Sequence, residues 1–191
     1  MKHSDTYNDA RNAIRSNSAK ELLALSETLI NSDHTPSHAS GYLMRGIAYE
    51  LGGDDVESDL ERAAANYRKA ASMVPDAITF LYLARALMKQ GGERHREALR
   101  YIDEAKSLRM VPEVNLAYAK YYESSDEPNY AKARHYYLHA ALAGRFAGFF
   151  GYASMSRKMD QKARAILVDG LRLALGPFLF LLLGKQASKT L

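Results

Sequence analysis

Residues 97–112 read EALRYIDEAKSLRMVP, and two alanines within this stretch, Ala98 and Ala105, determine how the chain folds. They are seven positions apart, which is two turns of an α-helix, so both lie on one helical face. Small residues on that face allow a second helix to approach closely, and the bulky Ile102 between them fills the adjoining groove. The stretch is therefore predicted to be one helix of a closely packed pair.

The same pattern returns at an interval of 35 residues. Three segments carry the alanine pair at equivalent positions, namely Ala63 and Ala70, Ala98 and Ala105, and Ala133 and Ala140. A fourth, weaker copy is predicted to carry Ala163 and Gly170. Two of the segments end in Met-Val-Pro, at Pro75 and Pro112, where proline is expected to stop a finished helix.

A first helix is predicted to precede each of these second helices. Each first helix has one small residue where its partner should cross it: Gly46, Ala84, Ala119 and Ala153. Turn-forming residues separate the two helices of a pair at 52–55, 91–93 and 124–128. Residues 5–31 are predicted to form an amino-terminal helix pair, with Ser18 or Asn17 as a cap, and residues 31–40 to form a loop.

This arrangement of small and large residues resembles tetratricopeptide and Sel1-like helical repeats. The resemblance covers roughly residues 40–175. It implies an all-α fold, an α-solenoid of about four antiparallel helix pairs. It also implies a protein-binding scaffold or adaptor of bacterial type. Outside the resemblance, amino-terminal helices and a loop are predicted in residues 1–39, and an apolar helix in residues 176–191.

Composition excludes several classes of site. The chain has no cysteine, so disulfides, thiolate metal sites and cysteine nucleophiles are ruled out. Its amino terminus lacks an apolar core of signal-peptide length, and we expect a cytoplasmic protein, with a peripheral position at the inner face of a membrane as an alternative.

No catalytic constellation is found, and we predict no enzyme activity, no cofactor and no resident metal. Phosphate-binding glycine motifs and a nucleophile elbow are absent from the sequence. His135 and His139 share a helical face, but no glutamate accompanies them as in zinc proteases. They are interpreted as polar surface residues. His34 and His38 are expected to be solvated in a loop, and His95 to lie at a charged helix start.

The first helices of a solenoid line its concave face, so binding is predicted there. The groove residues are Arg85, Met88, Lys89, Leu116, Lys120, Glu123, Phe150, Arg157 and Lys158. Cations interspersed with apolar side chains suit an acidic or carboxylate-ended peptide.

The carboxyl-terminal quarter is basic and ends in an apolar run. Residues 146–191 carry seven basic and two acidic side chains, a net charge of +5. The whole chain has a net charge of +4, so the rest of it is close to neutral. Residues 173–184 are uncharged but too few to span a bilayer, which needs about 20 apolar residues. This segment could be a buried cap, a self-association surface or a membrane contact. Phe178, Phe180 and Leu182 are its predicted contact residues.

Nucleic-acid binding is the less favoured alternative. Aromatic residues such as Phe149 and Phe150 lie in the basic quarter and could stack on bases. At repeat spacing, however, such residues more often belong to the core. A protein or peptide partner, with homo-oligomerisation as a further possibility, is the preferred interpretation.

Overall fold

A computed structural model describes residues 3–32, 34–53, 56–109 and 111–170 of the chain. Within these residues there are nine named helices and no named strand. The helices are α1 (His3–Arg15), α2 (Ala19–Ile30), α3 (Thr35–Leu51), α4 (Leu60–Met73), α5 (Ala77–Gln90), α6 (Gly92–Leu108), α7 (Pro112–Ser124), α8 (Tyr130–Leu142) and α9 (Ala147–Lys158). Residues 162–170 are also helical. The predicted all-helical fold is confirmed.

The helices form two compact units. The first, Met1–Met110, contains α1 to α6, and each of these helices except the last packs against the one that follows it. The second, Val111–Leu191, contains α7 to α9, with α8 packed against both of its neighbours. The predicted pairs correspond to α3 with α4, α5 with α6 and α7 with α8.

The alanines that define the repeat are all buried. Ala63, Ala70, Ala98, Ala105, Ala133 and Ala140 are each at most 1% exposed. The large side chains between them, Tyr67, Ile102 and Tyr137, are buried as well. Close helix approach at small residues, with one large side chain filling the space between, is therefore the packing rule in all three pairs.

The small residues of the first helices are also needed for close approach. Ala84, Ala119 and Ala153 are buried. A Cβ atom added to Gly46 would lie 2.5 Å from the ring of Tyr67, and one added to Gly151 would clash with the ring of Tyr137. The ring of Tyr67 thus lies against a glycine of its partner helix α3, whereas the ring of Tyr137 lies against a glycine of the next helix, α9.

Helix starts follow local side-chain chemistry. Ser18, Asp59, Asp76 and Asn129 each accept hydrogen bonds from backbone N–H groups in the first turn of α2, α4, α5 and α8. The prediction of Ser18 as a cap is confirmed. Pro112 was expected to stop a helix, but it begins α7, because the first helical position needs no N–H donor.

Two further expectations were wrong. Residues 35–40, predicted as loop, form the first turns of α3, where Pro36 favours helix initiation. In the fourth copy Ala163 and Gly170 are exposed, and Ala165 is buried instead. The 35-residue register of buried small residues therefore ends with the third pair.

Replacing Ala98 with leucine tests the packing rule. The added side chain has no space at the crossing of α5 and α6, and we expect a loss of about 1–3 kcal/mol in the free energy of unfolding. Ala163→Leu adds the same atoms at an exposed position and should change stability by less than about 0.5 kcal/mol. Urea unfolding followed by circular dichroism measures both, and equal losses would contradict the rule.

Candidate peptide-binding surface

The predicted groove residues lie on the first helices of three successive pairs. Arg85, Met88 and Lys89 are on α5 in the first unit. The others are on α7 and α9 in the second unit: Leu116, Lys120, Glu123, Phe150, Arg157 and Lys158. We call these side chains the first-helix surface and describe it unit by unit.

In the first unit the surface is organised by Glu50, near the end of α3. Its side chain is only 4% exposed. Arg85 donates two hydrogen bonds of 2.8 Å to its two carboxylate oxygens, and Lys89 donates one of 2.8 Å. The hydroxyl of Tyr67 donates a fourth, also 2.8 Å. Arg85 additionally lies 4.5 Å from the ring centre of Tyr82.

The ionisation of this cluster follows from its geometry. Burial alone would raise the pKa of Glu50, but hydrogen bonds from Arg85, Lys89 and Tyr67 and the positive charge of Arg85 outweigh it, so the pKa lies below its ordinary value. Burial and the neighbouring Glu50 carboxylate raise the pKa of the Tyr67 hydroxyl. The glutamate is therefore charged and the tyrosine neutral at physiological pH.

Glu123 organises the second unit in the same way. It accepts hydrogen bonds from the Tyr137 hydroxyl, from Lys120 at 3.0 Å and from Lys158 at 3.4 Å. Burial would raise the pKa of this carboxyl, yet these donors lower it below the ordinary value. Lys120 also lies 5.7 Å from the ring centre of Tyr137.

The two clusters occupy equivalent positions of the repeat. Each glutamate comes four residues after the small residue of its first helix, and each tyrosine stands between the two alanines of the paired second helix. In each case a lysine from the next first helix, five residues after that helix's small residue, reaches back to the carboxylate: Lys89 to Glu50 and Lys158 to Glu123. We call this combination the Glu–Tyr–Lys latch.

The middle pair has none of the three latch residues. Met88 stands where the other pairs have glutamate, Ile102 replaces the tyrosine, and Ser124 occupies the lysine position of the following first helix. The glutamate and tyrosine positions are thus both polar in two of the pairs and both apolar in the middle pair. A buried tyrosine hydroxyl and a carboxylate acceptor require each other, so losing one favours loss of the other.

The latches reduce the positive charge predicted for this surface. In each one, two cations surround one carboxylate, so each carries a net charge of +1. Arg157 forms an ion pair with Asp169. The cations themselves stay accessible: Arg85 is 48% exposed and Lys120 is 62% exposed.

Apolar side chains accompany the cations. Met88 and Leu116 are half-buried. Phe150, on α9, is 54% exposed, which is unusual for a phenylalanine on a helix with a buried face. In each unit the first-helix surface therefore has half-exposed cations and at least one partly accessible apolar side chain.

His135 and His139 lie on the surface as expected, whereas His38 lies within α3 and not in the expected loop. His135 and His139 are exposed on α8 with ring centres 4.5 Å apart. His95, expected at a charged helix start, is buried in the first turn of α6. Within the described ranges no three or more metal-ligating side chains come together.

An open depression of about 630 Å³ lies beside the connection between α3 and α4. Tyr49, Glu57, Asp59 and Arg62 contribute to its wall, and Arg62 lies 5.6 Å from the ring centre of Tyr49. Asp59 is the cap of α4 and is paired with Arg62. Asp59 and Arg62 are thus engaged at the start of α4.

Phe178, Phe180 and Leu182 lie outside the residues that the structure describes, as does the whole run 173–184. Among the helices that are described, none has the length and apolar character needed to cross a bilayer. Ile166 and Leu167, at the end of the described chain, are 70% and 69% exposed.

Solved structures of MamA are similar to this chain in fold. Residues 41 to the end of MamA from Desulfovibrio magneticus RS-1 give a TM-score of 0.65 at 14% identity, covering 91% of this chain and 94% of that one. The ArsTM double mutant of MamA RS-1 gives the same values. A further crystal structure of MamA gives 0.59 at 13% identity, covering 98% and 95%.

MamA is a TPR-like helical-repeat protein, and the predicted α-solenoid is thereby confirmed. The low identity limits this likeness to the fold. No protein-family model and no curated protein sequence matches the chain.

Replacing Glu50 with glutamine tests the latch. We expect the variant to unfold about 1–3 kcal/mol more easily at neutral pH, because two cations and a buried hydroxyl lose a charged acceptor. The pKa of Glu50 is lower in the folded protein than in the unfolded chain, so its ionised carboxyl stabilises the fold at pH values above the unfolded pKa. This stabilisation is lost as the pH falls through the folded pKa. The difference between wild type and variant should therefore shrink as the pH falls below the ordinary carboxyl pKa of 4.5.

Glu93→Gln is the matched control, because its carboxylate is 92% exposed. Urea unfolding at several pH values measures all three proteins. An equal loss in the control, or a difference from wild type that does not depend on pH, would contradict the role given to Glu50.

Proposed function

We propose that the protein is a non-catalytic scaffold that binds an acidic peptide or protein segment on its first-helix surface. The observation that carries this proposal is the contrast in exposure within each latch. The carboxylate is withdrawn from solvent while its cations remain about half exposed: Glu50 is 4% exposed and Lys89 is 51% exposed. The positive charge of the latch is therefore accessible to a partner, and the negative charge is not.

Unused donors make these cations suitable for a second carboxylate. A guanidinium has five N–H donors and an ammonium has three. Arg85 donates two hydrogen bonds to Glu50, and Lys89 donates one. The remaining donors can bind a carboxylate of a partner, and charge-assisted hydrogen bonds of this kind are the stronger ones.

An apolar anchor would supply most of the affinity. Phe150 exposes more than half of its surface on α9, the helix that also carries Arg157 and Lys158. Aromatic side chains that become buried on binding dominate the energetics of protein interfaces, while cations at the rim steer the partner and set its orientation. A segment with an apolar residue close to a few carboxylates fits this combination.

The proposal extends to the setting in which the scaffold works. The absence of catalytic motifs in the sequence and a fold used for binding both support a non-catalytic adaptor. We propose a cytoplasmic location, with a peripheral membrane position as the alternative.

Single substitutions in each unit test this surface. Peptides are first selected on wild-type protein from a display library biased towards aspartate and glutamate, and their Kd values are measured by fluorescence anisotropy. Phe150→Ala should weaken binding about tenfold or more, which is about 1.4 kcal/mol, for peptides held in the second unit. Arg85→Gln and Lys120→Gln should each do the same for peptides held in their own unit.

The matched controls are Arg96→Gln and Lys132→Gln, which remove the same charge from exposed positions on the second helices α6 and α8. They should change Kd less than about twofold. Because Phe150 belongs to neither latch, its variant also separates lost binding from lost stability. If the controls and the surface variants weaken binding equally, the proposal fails.

A second candidate function is assembly through the carboxyl-terminal end, on a membrane or with another copy. The specific observation is the exposure of Ile166 and Leu167, two adjacent large apolar residues that lie six residues or more before the uncharged run 173–184. Lys162 and Arg164 are exposed on the same helical segment. Apolar and basic residues side by side are typical of surfaces that bind anionic lipids.

Deleting residues 176–191 distinguishes the possibilities for this end. A membrane or self-association surface predicts a truncated chain that is monomeric by light scattering and no longer floats with anionic vesicles. A buried cap predicts aggregation or a lower melting temperature instead, and that outcome would overturn the second candidate while leaving the first-helix surface untouched.

A further inference from the structure

His135 and His139 form a pair of neighbouring imidazoles on α8. The helix is capped by Asn129 and runs to Leu142, so both histidines lie within it, His139 in its last turn. Residues four apart are neighbours on a helix surface, and both side chains are exposed. Their ring centres are 4.5 Å apart, and the ring planes are inclined at 64°. The scaffold function proposed above makes no use of this pair.

The ring separation fits a shared metal ion. A metal lies about 2.0–2.1 Å from a ligating imidazole nitrogen and so about 3.2 Å from the ring centre. Two imidazoles on one metal, at bond angles of about 90–110°, then have centres about 4.5–5.2 Å apart. The observed 4.5 Å falls at the lower end of that range. We propose that His135 and His139 chelate a divalent transition metal.

The donors define the class of metal. Neutral imidazole suits Zn²⁺, Ni²⁺ and Cu²⁺, whereas Mg²⁺ and Ca²⁺ prefer oxygen ligands. For a given set of nitrogen donors, affinity rises from Ni²⁺ to Cu²⁺ and falls again for Zn²⁺. Two protein ligands leave at least two coordination positions for water or for a donor from another molecule. The site is thus an open, exchangeable one, unlike a closed structural zinc site.

A second pair with the same spacing lacks the geometry. His34 and His38 are also four residues apart, but His34 is the cap residue of α3 and has an extended backbone, with φ −116° and ψ 114°. Nε2 of His38 contacts the backbone carbonyl oxygen of Ser32. One histidine lies outside the helix and the other is engaged by the backbone, so this pair provides a control within the same chain.

The test is Zn²⁺ binding to the full, untagged chain, measured by competition with a chromogenic chelator. Wild type should bind one Zn²⁺ ion saturably, and binding should weaken at acidic pH because protons compete for the imidazole nitrogens. His135→Gln, His139→Gln and the double variant should lose this binding. His34→Gln with His38→Gln, and His3→Gln, should retain it. Circular dichroism establishes that each variant keeps its helix content.

Nuclear magnetic resonance of the histidine rings supplies a second measurement. Zn²⁺ added to wild type should shift the imidazole signals of His135 and His139 and leave those of His34 and His38 in place. The proposal is overturned if wild type binds no Zn²⁺ saturably, if the folded α8 variants bind as well as wild type, or if another histidine gives the shifted signals.

Discussion

Two buried tyrosine hydroxyls impose the constraint on which much of this structure depends. The alanines that allow the helices of a pair to approach closely leave space between them for one large side chain, Tyr67 in one pair and Tyr137 in another. A ring fills that space, but its O–H group cannot be buried without an acceptor. The paired first helix supplies one in both cases, Glu50 for Tyr67 and Glu123 for Tyr137. Where a tyrosine fills the space between the helices, close packing thus requires a carboxylate withdrawn from solvent.

This carboxylate in turn requires cations, and these come from the next helix pair. Withdrawing a charge from water costs more than one hydrogen bond returns, so the glutamate needs cations nearby. They come from the following first helix, as Lys89 does for Glu50 and Lys158 for Glu123. The net gain in stability of such an arrangement is modest, since the cations are half exposed. Its larger effect is on register, because a shifted helix would leave the carboxylate and the hydroxyl unpaired.

The sequence predicted the packing better than it predicted the polar groups. A fixed interval between alanines reports helix crossings directly, because only small residues fit there, and all six repeat alanines are buried. Glu50 and Glu123, by contrast, lie at the edge of the apolar stripe, where a helical pattern cannot distinguish exposure from burial. A comparison of the repeats with one another could have identified them. Two repeats have both the glutamate and the tyrosine, whereas the middle repeat has Met88 and Ile102 at these two positions. The extent of α3 was missed because polar residues at 35–40 read as a loop, although Pro36 favours a helix start.

The same constraint limits what the first helices can offer a partner. In each latch the carboxylate neutralises half of the charge of the two cations and leaves a net charge of +1, and Arg157 is paired with Asp169. A nucleic acid would need a row of cations, one for each phosphate it neutralises, and its affinity would depend on their number. The small net positive charge near the exposed Phe150 suits a peptide better than a nucleic acid. Such a peptide would carry one or two carboxylates near an apolar side chain. Because each glutamate satisfies the hydroxyl of its tyrosine, the latch keeps a negative charge beside its two cations, and the middle pair has the apolar residues Met88 and Ile102 at the equivalent positions.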